Sequence, residues 1–386
     1  EYSTRMAFNN MLGALSPVEQ NEFPANEYEA SPVLPFYLEF ISDKTIRIRA
    51  KSGFDRYDDE ESLMLANGFV QAKEPWNYSH SEGVHVYSGS HGRVEIVESP
   101  FQVLIYDGNG RLLTSTNTLR ENSGTFTPTL PFSYVRRASD YSRSFNAAFN
   151  LQPDEKIFGL GESFGTFNKR GSKVVLFTDD ANGTQNETMY KPVPFFMSSR
   201  GYGVFMHTST PITCDFGKYI SSVSALMIGD EELDLFVFLG EPKDILDEYT
   251  ELTGKSPVPP LWSFGFWMSR ITYFSEEEGR TVVNLLRKHK IPSDVLHFDT
   301  GWFGVDWQCD YTFAADRFDD PGKMMSDFRE QGIPPCLWQL PYFVPRNKLF
   351  CDIIDTAPSV INTKGNPPSQ DAILPCDHFT PQSTST

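Results

Sequence analysis

Cysteine is scarce in this chain of 386 residues: Cys214, Cys309, Cys336, Cys351 and Cys376 are scattered, and no two have CxxC spacing. The pattern speaks against a structural zinc site, and an odd number of thiols speaks against a closed disulfide framework. Long apolar runs are missing too. Nowhere do about 18 apolar residues follow one another, which excludes a membrane-spanning helix. Positive charge is in short supply, and a net charge of -18 argues against nucleic acid or an anionic membrane surface as a partner, because both demand a positive face. The chain opens Glu1-Tyr2-Ser3-Thr4-Arg5 without an initiator methionine or an apolar signal core, the expectation for a processed or incomplete polypeptide. Cytoplasm and secretion both stay open as compartments. The sequons at Asn77, Asn182 and Asn186 would matter only outside the cell.

What is present falls into two halves. Residues 1–30 are polar without a clear period and read as a lead-in segment. From Pro35 to about Leu239 the signals are those of strands: residues 45–49, 83–87 and 93–97 alternate with period two. Phe101 to Tyr106 meets Asp107-Gly108-Asn109-Gly110 and then Arg111-Leu112-Leu113, a hairpin whose turn residues tolerate positive φ. Residues 203–208 and 232–239 add further strands, and no convincing long helix interrupts them. A β-sandwich over residues 31–256 is the natural packing. One helix then runs from Glu241 towards Gly254, with proline in its first turn and glycine just past its end. Pro257, Pro259 and Pro260 form a stiff linker, which places a domain boundary at about residue 256.

Beyond the linker the pattern changes to strand, helix, strand. Two apolar runs, residues 262–268 and 295–298, suit parallel strands buried on both faces. Between them Ser275 and Glu278 have the spacing of a capping box. Glu276 and Glu277 place negative charge in the first turn, and Arg287, Lys288 and Lys290 sit in the last. Val282, Val283, Leu285 and Leu286 form the apolar stripe, and Pro292 prevents continuation. A second helix starts at the cap Asp320, with Pro321 first, Met324, Met325 and Phe328 on one face and Gly332 closing it. Residues 335–341 read as a third strand. Such repeats begin a (β/α)8 TIM barrel, which needs about 250 residues; residues 257–350 supply only its first βα units. The second strand hands over Asp299 beside Thr300, Trp302 and Phe303, at the end of a parallel strand where ligands bind.

The segments PPLWSFGFWMSR, IPSDVLHFDTGWF and LWQLPYF, with Phe158-Gly159-Leu160-Gly161-Glu162-Ser163-Phe164 and Asn168-Lys169-Arg170-Gly171 upstream, resemble glycoside hydrolase family 31, the α-glucosidase and α-xylosidase family. The likeness runs from about residue 30 to Asp371 in the family's order: a galactose-mutarotase-like sandwich first, the barrel second. The DTGWF and WQCDY forms lean towards the α-xylosidase-like branch. The resemblance implies a retaining exo-acting α-glycosidase, with oligosaccharide or glycoside substrates, no cofactor or metal, and association into homo-oligomers in whole family members. It also implies two catalytic aspartates on later barrel strands. Neither family motif is found here, and residues 351–386 end in a polar, Pro- and Thr-rich tail that reads as truncated or frame-shifted. Carried over by motif, Asp299 matches the acid that hydrogen-bonds sugar hydroxyls and Trp338 an aromatic of the same pocket wall. Thr300, Trp302 and Trp307 fall in the loop that shapes it. Tyr273 and Thr272, and the loop around Asp179, Asp180 and Asn182, would add contacts to the leaving sugar.

Plainer readings stand beside these. Asp299 serves equally as a turn cap. Trp262, Phe264, Phe266 and Trp267 suit a buried strand. His297 and Asp299 form an HxD pair without a third ligand, poor evidence for a metal. Glu162 reads as a structural partner of the Lys169-Arg170 turn, and Asp306 and Asp310 as loop carboxylates. Two classes of function follow: an enzyme module that needs further barrel strands, or a non-catalytic product, sugar-binding or inert, with an open sheet edge.

Overall fold

The computed structural model describes residues 6–9, 14–17, 34–52, 62–66, 68, 75–118, 131–136, 143–178, 191–305, 308–340, 346–350 and 352. The chain divides into two compact units, Glu1–Ser256 and Pro257–Thr386.

The first unit is antiparallel throughout its described residues. A five-stranded meander joins Asn77–Ser81, Val84–Ser88, Gly92–Val97, Gln102–Asp107 and Leu112–Ser115 in chain order. Its last hairpin has the expected turn: Gly110 takes φ 81, and Asp107 Oδ1 accepts the N–H groups of Asn109 and Arg111, each at 2.9 Å. A second five-stranded sheet runs Phe132–Arg136, Arg143–Asn150, Val223–Ile228, Ile212–Phe216, Lys173–Leu176. A six-stranded sheet runs Ile157–Glu162, Lys191–Ser198, Tyr202–Met206, Glu232–Leu239, Thr45–Lys51, Phe36–Phe40. Val94, Val103, Phe145, Leu226, Ile46, Ile48, Leu235 and Val237, drawn from all three sheets, meet in one core. The N-terminal segment, read as a polar lead-in without a clear period, contributes an antiparallel pair, Met6–Asn9 with Ala14–Pro17.

The opposite face of the six-stranded sheet is closed as well. The helix Pro242–Thr253 lies over it, and Ile245 and Leu252 join Phe195, Phe205, Phe236 and Phe238 in a second core. The alternation of Thr45-Ile46-Arg47-Ile48-Arg49 therefore does not separate core from solvent: Arg47 and Arg49 are both buried. Arg47 donates twice to Asp234, at 2.9 and 2.7 Å, and lies over the Phe236 ring. Arg49 pairs with Glu39 at 2.9 Å, and His207 Nδ1 meets Asp234 Oδ2 at 2.7 Å. A planar guanidinium that forks onto a carboxylate is how a strand can carry charge on a covered face.

The Phe158-Gly159-Leu160-Gly161-Glu162 motif is a bulge in this sheet. Its register against the neighbouring strand shifts between Gly159 and Gly161, and Gly159, Leu160 and Gly161 all have positive φ, at 123, 73 and 92. A Cβ on Gly161 would stand 2.1 Å from the Lys191 carbonyl oxygen, so only glycine fits. Glu162 does not partner the Lys169-Arg170 turn; it faces Lys191 across the sheet at 3.4 Å. Arg170 instead caps backbone carbonyls of Gln152 and Ser221.

In the second unit Trp267–Met268, Val295–Phe298 and Pro335–Leu337 form a parallel sheet in chain order, crossed by the helices Glu276–Lys288 and Pro321–Glu330. Among the described residues this is the start of a barrel, with no closed ring. Two expectations need correction. Residues 262–268 are not one buried strand: Leu261–Phe264 is a 3-10 turn, only Trp267–Met268 pairs, and Trp262, Phe264, Phe266 and Trp267 are exposed. The prolines before Leu261 deliver the chain in a turn, and no described element covers these rings. Leu285, expected on the helix's apolar stripe, is exposed, whereas Gly279, Val283 and Leu286 are buried.

Two predictions follow from the sandwich. Burial alone would raise the Asp234 carboxyl, but hydrogen bonds and charge from Arg47 and His207 outweigh it and hold its pKa below the ordinary 3.8. The stabilisation is therefore complete above that value and fades as pH falls through the depressed one. Asp234→Asn should cost about 3 kcal/mol at neutral pH, and the difference from wild type should shrink in urea titrations carried out progressively below about pH 4. Gly161→Ala should cost at least about 3 kcal/mol through strain and backbone overlap, whereas Gly171→Ala, at φ 79 with open space around it, should cost about 1 kcal/mol. Equal urea midpoints for the two variants would contradict this account.

Candidate functional site

The site is built on the strand Val295–Phe298. Leu296 and Phe298 point under the crossover helices and belong to that unit's core. Close contact is allowed because Gly279 has no side chain: a Cβ there would lie 2.8 Å from Phe298 Cζ. By the alternation of a strand, His297 and Asp299 face the other side. His297 Nδ1 stands 3.0 Å from Ser269 Oγ on the neighbouring strand's exit.

Asp299 ends the strand and caps the 3-10 turn Thr300–Trp302, its Oδ1 accepting the Thr300 N–H at 2.8 Å. No other hydrogen bond or ion pair engages its side chain among the described residues. The turn is clamped from three sides. Gly301 N–H donates to Thr272 Oγ1 at 2.7 Å, Trp302 Nε1 donates to the Trp338 carbonyl at 2.9 Å, and Trp338 N–H donates to the Phe298 carbonyl at 2.8 Å. Farther along, Leu340 N–H reaches Cys309 Sγ at 3.1 Å and Asn347 Nδ2 the Cys309 carbonyl at 3.2 Å. These bonds tie the loop after the second strand to the segment after the third.

The helix start beside the site differs from the expected box in one detail. Ser275 Oγ accepts from Glu278 N–H at 3.2 Å, but Glu278 reaches past Ser275 to the Phe274 N–H at 2.8 Å and forms an ion pair with Arg270. Arg270 in turn lies over the Tyr273 ring.

The seven sequence-derived candidates separate by accessibility. Asp299 and Trp338 are partly exposed. Thr300 and Trp302 are buried and form the floor of the turn. Tyr273, expected to contact the leaving sugar, is fully buried, edge-on to Phe298 at 5.9 Å: its ring fills the core, and its hydroxyl has no hydrogen-bond partner among the described residues. Burial raises the Tyr273 hydroxyl pKa, with the Arg270 charge opposing. Trp307 and Asp180 lie outside the described residues, as do Asp306, Asp179 and Asn182. Burial also lifts the Cys309 and Cys336 thiols above their ordinary value, which keeps both protonated and poorly nucleophilic at neutral pH. Among the described residues the strand exits thus present Ser269, Asp299 and Trp338, with a single carboxylate.

One cluster escaped the sequence reading. On the meander His80, His85 and Glu98 bring their ligand atoms within 4.8 Å of one another. Their spacing fits no short metal motif. The available signal was the Glu82-Gly83 dipeptide, a two-residue turn that sets His80 opposite His85.

The glycosyl hydrolase 31 N-terminal galactose mutarotase-like domain matches residues 35–215, and the glycosyl hydrolases family 31 TIM-barrel domain matches residues 256–376. An α-xylosidase of Lactiplantibacillus pentosus is 33% identical over 254 residues, which is 65% of this chain and 32% of that protein. An α-xylosidase of Emericella nidulans is 37% identical over 210 residues, 53% of this chain and 26% of the relative. The chain thus spans a third or less of the length of these relatives. A family 31 dextranase of Flavobacterium johnsoniae shares the fold with a TM-score of 0.72 at 22% identity, over 95% of this chain and 43% of that one. A family 31 α-xylosidase from a soil metagenome, solved with xylose, does so with a TM-score of 0.70 at 21% identity, over 84% and 48%. Matched in order by both domains, from the sandwich to the opening strands of the barrel, this chain belongs to glycoside hydrolase family 31.

Proposed function

We propose that the chain is the N-terminal portion of a retaining, exo-acting α-glycosidase that removes terminal α-linked xylose, or failing that glucose. Asp299 holds the non-reducing sugar. The observation that carries this reading is the state of its carboxylate: one oxygen is used to cap Thr300, the other is left at the exit of a parallel strand next to Trp338. Such an oxygen accepts sugar hydroxyls, and the flat indole covers a pyranose C–H face. Thr272, Thr300 and Trp302 act by holding the turn. The α-xylosidase relatives favour xylose.

Retention needs two carboxyl groups roughly 5 Å apart, and the described strand exits supply one. Neither of the family's motifs for the catalytic aspartates is found in this sequence, so on this reading the pair is not among these residues and the chain alone acts as a scaffold with a sugar subsite. On an aryl α-xyloside the 386-residue polypeptide should give no turnover above the blank; measurable turnover would refute the placement of the pair. In a protein extended through the remaining barrel, Asp299→Ala should lower kcat/KM roughly 10- to 100-fold, the loss of one charge-assisted hydrogen-bonding group of about 1.5–3 kcal/mol, without shifting the pH profile. An unchanged kcat/KM would remove Asp299 from the subsite.

A further inference from the structure

The geometry points to a second site, on the meander of the sandwich: His80, His85 and Glu98 bind a divalent first-row transition ion, with zinc as the ion of choice. Glu82 and Gly83, at φ 50 and 73, make the two-residue turn that pairs Ser81 with Val84 and hence His80 with His85. Cross-strand partners in this register share one face, and the two imidazoles stack with centroids 4.3 Å apart. Both Nε2 atoms converge on one atom, Glu98 Oε1, at 3.1 and 3.0 Å. Glu98 is itself fixed by its N–H bond to the Gly83 carbonyl at 2.9 Å.

Bonds of about 2.0–2.2 Å around a tetrahedral ion place neighbouring ligand atoms about 3.3–3.5 Å apart. The two Nε2–Oε1 distances already stand close to that spacing, the three donors lie within 4.8 Å of one another, and an ion between them requires the stacked imidazoles to turn their Nε2 atoms towards it. Two imidazoles and one carboxylate are the donor set of a zinc ion that keeps an open position for water. Nitrogen donors discriminate against calcium and magnesium, which take oxygen. The outer contact is present as well. Tyr78 OH stands 3.0 Å from His85 Nδ1 and can accept a hydrogen bond from Nδ1–H in the tautomer that leaves Nε2 free to ligate. The ion would join the strand Asn77–Ser81, at the edge of its sheet, to Glu98, just past the strand that lies two places further in.

Isothermal titration of the metal-stripped 386-residue chain with zinc chloride near neutral pH tests this. One site of micromolar affinity is expected, with no heat from calcium or magnesium. His80→Ala and Glu98→Gln should each weaken zinc at least tenfold, and Tyr78→Phe by less. Cobalt should bind without a thiolate charge-transfer band, which separates the site from the cysteines. Zinc should also slow amide exchange over residues 77–85 in the wild type, a readout that does not depend on any variant. Zinc affinity equal in the wild type and His80→Ala, or no binding up to millimolar zinc, would overturn the assignment.

Discussion

Asp299 stands where it does because of the residue before it. Phe298 is fully buried, edge-on to Tyr273 and Phe318 and tilted against Phe328. It uses the space that Gly279 leaves open. Its carbonyl takes the Trp338 N–H, so the third strand's exit is registered to the second's. Truncating a phenylalanine in such a seat costs about 3–5 kcal/mol, and the loss would fall on the backbone that aims the carboxylate.

The residues that shape the site are mostly not the ones that can touch a ligand. Trp302 anchors the turn through its indole N–H and Thr272 through its hydroxyl, and both are buried. Thr272 satisfies the Gly301 N–H, which would otherwise be stranded in a covered turn, and Trp302 ties the turn to the Trp338 carbonyl of the third strand's exit. Precision at Asp299 is thus obtained from its supports, whose chemistry is ordinary packing and backbone hydrogen bonding.

Local signals were readable where local physics decides. The caps at Ser275 and Asp320, the proline that opens the helix Pro242–Thr253 and the Asp107–Gly110 turn each depend on a few adjacent residues, and each appears in the structure. What depends on distant partners was not readable. The exposure of Trp262 and Phe264 is decided by which element lies opposite. Arg47 and Arg49 look like solvent-facing positions, yet Arg47 is buried against Asp234 and Phe236 and Arg49 against Glu39 and Tyr37. Tyr273 sits in a loop by sequence and in the core by contact. Asp299 was legible twice over, as a cap and as a strand-end acid, and in the structure one oxygen of its carboxylate caps Thr300.

The six-stranded sheet has hydrophobic layers on both of its sides, largely aliphatic towards the other sheets and rich in phenylalanine towards the helix. It is a partition with two tenants. A methylene added to one side bends the pleat into the other, where rings are already in contact. Tolerated changes at these positions should therefore come in compensating sets through the thickness of the wall, so that a homologue that swaps Ile48 for a bulkier residue will also have altered its phenylalanines.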